Sequence, residues 1–161
     1  FNADIVDALL EGELRTLAEH DVRGDDVVLA RVAGAWELPQ VAQAMADSGE
    51  IDAIVALGCI IRGETSHYDV IVNESARALM NVSLKAGIAV ANGVLAVENV
   101  AQAIARCGGE HGNKGAEAAL AALETAGLIR SILPEHFDLG DELDGLLDDM
   151  QDNHHPRGAQ R

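Results

Sequence analysis

Aromatic side chains are nearly absent: one Trp, one Tyr and two Phe stand in 161 residues. The core must therefore be built from aliphatic residues, and 48% of the chain is apolar, enough for a sizeable core at this length. There are only two cysteines, Cys59 and Cys107, far apart and without ligand spacing. That argues against a disulfide scaffold or a cysteine metal site and leads us to expect a reduced, intracellular, cytoplasmic protein. Basic residues are scarce: 11 Lys and Arg face 27 Asp and Glu, for a net charge of -16. Such a chain does not suit nucleic acid or an anionic membrane. Any anionic substrate must find a local positive cluster in an acidic background. No apolar run approaches the roughly 18 residues of a membrane helix, and no secretory leader is recognisable. The length suits one domain. The chain opens on Phe1-Asn2 rather than Met, and an upstream segment is expected.

What is present is an alternation of strand-like and helix-like stretches. Asn2 is placed to cap a helix to about His20, with Ile5, Leu9, Leu10, Leu14 and Leu17 on one face. Gly24-Asp25-Asp26 reads as a turn and residues 27–32 as a strand. A helix follows from Trp36 to about Ser48, with Pro39 in its first turn. Residues 51–59 form a nearly continuous apolar strand, as expected of a parallel strand covered on both faces. Residues 65–85 read as a helix stopped by Gly87, and residues 88–97 as a further strand. Residues 98–106 read as a helix ended by Gly108-Gly109, and an Ala-rich helix runs to about Ile129. This order predicts a parallel sheet with helices on both faces. In such sheets ligands sit at the carboxyl ends of the strands. Residues 131–161 differ: eight acidic residues stand there, and Leu139, Leu143, Leu146, Leu147 and Met150 recur at helical spacing. A mobile acidic tail and a short docking helix are both open readings. His154-His155 make no metal site by themselves.

The chemistry concentrates in residues 58–69, where a strand end, a glycine turn and a helix start follow one another. Ser66 and Asp69 match a capping pattern that sets His67 in the first helical turn. Imidazole there suits proton transfer near neutral pH, although a plain surface histidine is equally compatible. Backbone N–H groups at Gly63-Glu64-Thr65, with the Thr65 hydroxyl, suit a phosphate; the alternative is an ordinary turn. Arg106 could bind phosphate in bidentate fashion or cap its own helix. Lys114 among glycines is a second cation or a solvated loop residue. Arg62 reads as structural, pairing with a carboxylate. Trp36, at a strand's carboxyl end, could stack on a planar ring or fill the core, and Glu37 could bond sugar-like hydroxyls. Phe1 is a stacking platform or a staple. Cys59 and Cys107 read as packed thiols. The glycines at 108–115 match no nucleotide loop.

Taken together, Phe1-Asn2, Gly34-Ala35-Trp36-Glu37-Leu38-Pro39, the segment 58–68, Asn92-Gly93-Val94-Leu95, Glu98-Asn99, Arg106 and Gly112-Asn113-Lys114-Gly115 resemble the 6,7-dimethyl-8-ribityllumazine synthase family, in register over residues 1–130. The resemblance implies a flavodoxin-like three-layer α/β/α fold around a parallel four-stranded sheet, whose first strand is not in this sequence. It implies a cofactor-free transferase of riboflavin biosynthesis. Its substrates are 5-amino-6-(D-ribitylamino)uracil and 3,4-dihydroxy-2-butanone 4-phosphate. It implies homopentamers, in some members packed as 60-subunit icosahedral shells, with sites between subunits, and riboflavin synthase as a partner. The compact link over residues 107–115 matches the shell-forming members. Carried over by position, Phe1 would stack on the pyrimidine, and Ala35, Trp36 and Glu37 would line the pyrimidine and ribityl pocket. Cys59, Ile60 and Ile61 would form its floor, and Asn92 would contact the pyrimidine. Gly63, Glu64 and Thr65 would bind phosphate, with Arg106 of a neighbouring subunit and Lys114 near by, and His67 would shuttle protons. Ala33 stands where the family commonly has Pro, and Trp36 where it has Phe or Tyr. Rival readings are a paralogue that binds flavin or lumazine without turnover, and a shell-forming structural protein. Neither needs His67, Arg106, Lys114 and the Gly63-Glu64-Thr65 turn together.

Overall fold

Two nine-residue strands rich in Ala, Val, Leu and Ile form the centre of the structure, a computed structural model that describes residues 2–133. Phe1, and residues 134–161 with the expected leucine stripe and His154-His155, lie outside the described residues. The chain divides into two compact units, Phe1–Ile129 and Arg130–Arg161. Every described element belongs to the first except residues 130–132 of the last helix. Strand β1 (Ala53–Ile61) and strand β2 (Ala89–Val97) pair in parallel, from Ala53 opposite Ala89 to Ile61 opposite Val97. A parallel pair needs a crossover, and helix α3 (His67–Ala86) supplies it. Gly87 ends α3 at φ 69°, a left-handed conformation that glycine adopts without penalty.

Side-chain alternation along the strands sends residues to two faces, and each face has its own core. On one, Ile54, Ala56, Val90 and Val94 pack with Ala42 of α2 (Leu38–Asp47) and Leu79 and Val82 of α3. On the other, Leu57, Cys59, Ile61, Leu95 and Val97 pack with Ile5 and Leu9 of α1 (Ala3–Glu19) and Ala103 of α4 (Val100–Arg106). The result is the expected three-layer α/β/α order, flavodoxin-like in character. After α4, a short antiparallel hairpin pairs β3 (Cys107–Gly109) with β4 (Gly112–Asn113), and α5 (Lys114–Ile132) follows.

Several local expectations are corrected. Residues 27–32 join no ladder among the described residues, and Val28 and Leu29 are exposed. A ladder needs a strand alongside, and among the described residues β1 pairs with β2 alone. Asn2 precedes α1 in a left-handed conformation and makes no side-chain cap. Its amide donates instead to the Cys59 carbonyl at 3.0 Å, tying α1 to β1. The buried line of α1 is Ile5, Leu9 and Gly12, while Leu14 is 42% exposed. Helix α2 begins at Leu38 rather than Trp36, and α3 at His67 rather than Thr65.

A glycine lies on the buried face of α1 because Asn113 occupies the space beside it: a Cβ at Gly12 would collide with the Asn113 amide. That amide donates to the Ala8 carbonyl at 2.8 Å, and its oxygen accepts from the N–H groups of Gly115 and Ala116 at 2.9 and 3.1 Å. One side chain thus caps α5 and pins it to α1. With each bond contributing about 1 kcal/mol, Asn113→Ala is expected to cost about 2–3 kcal/mol, read from the urea unfolding midpoint. Burial on α1 also lifts the Glu13 carboxyl from 4.5 to about 7. The folded chain then holds this proton more tightly than the unfolded one. The stability it contributes is complete below pH 4.5 and is lost as pH rises through about 7. Glu13→Gln should raise the melting temperature above pH 7 and change it little near pH 4.5; a uniform shift would contradict the assignment.

Candidate active site

Because β1 and β2 end level, the loops that follow them emerge together. The Arg62 N–H donates to the Val97 carbonyl at 2.9 Å, extending the pairing one residue past β1. Its guanidinium then meets two carboxylates. Nη2 and Nη1 reach the two oxygens of Asp69 at 3.1 and 3.3 Å, and Nε reaches Glu98 at 2.8 Å. The Tyr68 ring lies 4.0 Å from the guanidinium carbon. The Asp69 hydrogen bond, followed by that to Glu98, raises the Arg62 pKa further, so it stays charged. The reading of Arg62 as a carboxylate partner is borne out.

Between Arg62 and α3, residues 63–66 form an exposed turn. The N–H groups of Glu64 and Thr65 have no acceptor among the described residues. The Thr65 hydroxyl accepts from the His67 N–H at 3.4 Å, and the His67 ring is exposed. The capping pair expected of Ser66 and Asp69 does not form. Ser66 makes no side-chain cap, and Asp69 is held by the stronger charge-assisted pairing with Arg62. A Cβ at Gly63 would meet nothing within 4 Å, so glycine is not required there by the packing of this chain.

A second group of residues gathers elsewhere. Residues 91–97 of β2, with Arg106, Lys114, Glu117, Ala118 and Ala121, line an open cleft of about 470 Å³. Asn92, Arg106 and Lys114 are thus brought together, whereas Gly63, Glu64, Thr65 and His67 do not line this cleft. Asn92 is exposed and its oxygen accepts from the Val94 N–H at 3.0 Å, covering part of the edge of β2 that pairs with no strand among the described residues. Arg106 donates to the Gln102 carbonyl at 3.0 Å, the helix-capping contact. Lys114 pairs with Glu117 at 2.7 Å.

A third group surrounds the start of α2 and the end of β1. Ala35 and Glu37 are half-buried, and Trp36 is 48% exposed, so the tryptophan does not fill the core. Gly58 of β1 faces Leu38, the first residue of α2, which brings the 34–37 loop beside the strand. Cys59, Ile60 and Ile61 are half-buried along β1. Burial, then the nearby Cys107, pushes the Cys59 thiol pKa up, in keeping with a packed thiol. Sequence reasoning passed over the structural roles of Gly12 and Asn113, whose contact spans α1 and α5. Among the described residues no group of three or more His, Cys, Asp or Glu could hold a metal, and no helix is long and apolar enough to cross a membrane.

Fold and loops together define a doubly wound α/β chain with a polar turn beyond the carboxyl end of β1 and a cleft carrying Arg106 and Lys114 along β2. Comparison with known proteins is more specific. A family model for 6,7-dimethyl-8-ribityllumazine synthase matches residues 1–130. The protein named 6,7-dimethyl-8-ribityllumazine synthase from Xylella fastidiosa (strain 9a5c) is 49% identical over 132 residues, covering 82% of this chain and 86% of that protein. The one so named from Xanthomonas campestris pv. campestris (strain B100) is 50% identical over 134 residues, covering 83% and 86%. The chain belongs to the 6,7-dimethyl-8-ribityllumazine synthase family.

Proposed function

We propose that this chain catalyses the condensation of 5-amino-6-(D-ribitylamino)uracil with 3,4-dihydroxy-2-butanone 4-phosphate, the penultimate step of riboflavin biosynthesis. The observation that carries the reading is family membership across residues 1–130 at about half identity to the named enzymes. In the reaction, an aryl amine adds to the ketone carbonyl and water leaves to give an imine. Phosphate departs by elimination, and the second amine closes the ring with loss of water.

The residues of this chain fit those steps. The N–H groups of Glu64 and Thr65, without an acceptor among the described residues, would hold the phosphate, with Gly63 leaving room for close approach. His67, exposed at the start of α3, would carry protons between the amine, carbonyl and leaving oxygens. Trp36 would stack on the pyrimidine as Phe1 would, beside Ala35 and Glu37, over a floor of Cys59, Ile60 and Ile61. Asn92 would contact the pyrimidine. Arg106 and Lys114 line a cleft that does not include the 63–67 turn. That division supports a site completed by a second copy, whose Arg106 would meet the phosphate. Holding two substrates in register would supply much of the rate.

Small-molecule substrates and oligomeric assembly go with the family. The finer reading is a homopentamer, with a 60-subunit shell as its larger form, in the cytoplasm and alongside riboflavin synthase. Exposed Val28, Leu29, Val100 and Ile104 supply apolar surface for such contacts. Residues 1–130 would be the catalytic domain and 131–161 an appended acidic segment.

Mixing the two substrates with the purified assembly should produce the lumazine chromophore well above the uncatalysed rate; the uncatalysed rate alone would overturn the reading. Arg106→Ala should raise KM for the phosphate substrate. Gly63→Ala should do the same at an unchanged melting temperature, since its Cβ meets nothing in this chain. His67→Ala should slow turnover by about 100-fold, the low end for a positioned acid–base group, because substrate positioning survives; a collapse to background would show that proton transfer dominates.

A further inference from the structure

The turn at residues 63–66 has little to hold it. Among the described residues its one side-chain bond is the 3.4 Å contact from the His67 N–H to the Thr65 hydroxyl. Ser66 caps nothing, and nothing packs where a Gly63 Cβ would stand. A turn this open needs its ends fixed if its N–H groups are to point one way. Arg62 lies at one end of it, and Tyr68 and Asp69 at the other. The guanidinium grips Asp69 through two nitrogens, lies against Tyr68, and uses Nε for Glu98 just beyond β2. The exit of β1, the end of β2 and the first turn of α3 therefore meet at one side chain.

We infer that Arg62 is a positioning residue of the reaction, the clamp that holds the 63–66 turn and His67 in the arrangement that receives the leaving phosphate. The inference rests on the proposed function. All three guanidinium nitrogens face carboxylates, so Arg62 acts through the turn and not as a phosphate ligand. It also offsets two negative charges, Asp69 and Glu98, that would otherwise face an anion. A planar fork serves both carboxylates at once, and a lysine ammonium cannot reproduce that geometry. Its pairs are partly solvated, with 37% of the Arg62 side chain exposed, and pairs of this kind contribute little to global stability. The effect of losing the clamp should fall on the site and not on the fold.

Two variants separate geometry from charge. Arg62→Gln should leave the melting temperature and KM for the pyrimidine substrate nearly unchanged. It should lower kcat/KM for the phosphate substrate by about 10- to 100-fold, the scale of a misplaced binding group, and Arg62→Lys should recover only part of the loss. Asp69→Asn removes a negative charge near the phosphate but breaks the fork, so KM for the phosphate substrate should rise. An unchanged or lower KM in Asp69→Asn, or unchanged phosphate-substrate kinetics in Arg62→Gln, overturns the clamp. If Arg62→Gln does not assemble, Asp69→Asn decides alone. Absence of chromophore formation by the unmodified protein would instead sink the underlying reading, so the two failures are distinct.

Discussion

The in-register parallel ladder between β1 and β2 is the constraint from which the rest of the structure follows. Nine residues of each strand pair without a slip, Ala53 with Ala89 through Ile61 with Val97. A parallel pair leaves both faces apolar and needs cover on each. Helices α2 and α3 close one face, and α1 and α4 close the other. A register shift of one residue would exchange the two faces of a strand, placing Ile54 and Leu57 on the wrong cores. Register also sets the ends of the strands level, so the Arg62 N–H can reach the Val97 carbonyl and the loops after both strands share one edge.

Polar side chains then fix what the apolar cores leave loose. Asn113 lies against Gly12, bonding Ala8 and capping α5. Gly115 is equally constrained, since a Cβ there would strike the Leu9 carbonyl. Asn2 ties the start of α1 to β1 through the Cys59 carbonyl. Arg62 joins two strand ends to α3. Each of these bonds is modest alone. Their effect is directional: they decide where helix ends and loops sit relative to the sheet, which hydrophobic burial alone does not specify.

Among the described residues, the cleft that gathers Asn92, Arg106 and Lys114 does not take in the 63–67 turn. The 63–67 turn stands beyond β1, while Asn92, Arg106 and Lys114 line a cleft along β2, on the edge left unpaired among the described residues. An edge strand and a cleft on its outer side are features that a second copy can cover. Oligomeric assembly accompanies the family, and under the proposed function a site built from two surfaces would exclude water from both substrates more completely than an open loop can.

Much of the fold was legible in the chain. Apolar runs located β1 and β2 to within two residues, and glycines marked the stops at Gly49 and Gly87, both at positive φ. Motifs in order along residues 1–130 pointed to the family that the comparisons show. Local signals misled where a distant partner outbid them. Ser66 and Asp69 read as a capping pair, yet Asp69 is held by Arg62, and Asn2 read as a cap, yet it reaches Cys59. Residues 27–32 have strand character but no ladder among the described residues, because pairing depends on which strand lies alongside. By itself, the sequence determined the elements, their order and the family, because periodicity, turn chemistry and motif spacing are local properties. Tertiary structure alone decided that Arg62 meets Glu98, that Asn113 requires a glycine at position 12, and that Arg106 lines a cleft with Asn92 and Lys114. Those relations join residues far apart in the chain, and only the packed sheet and its helices bring them together.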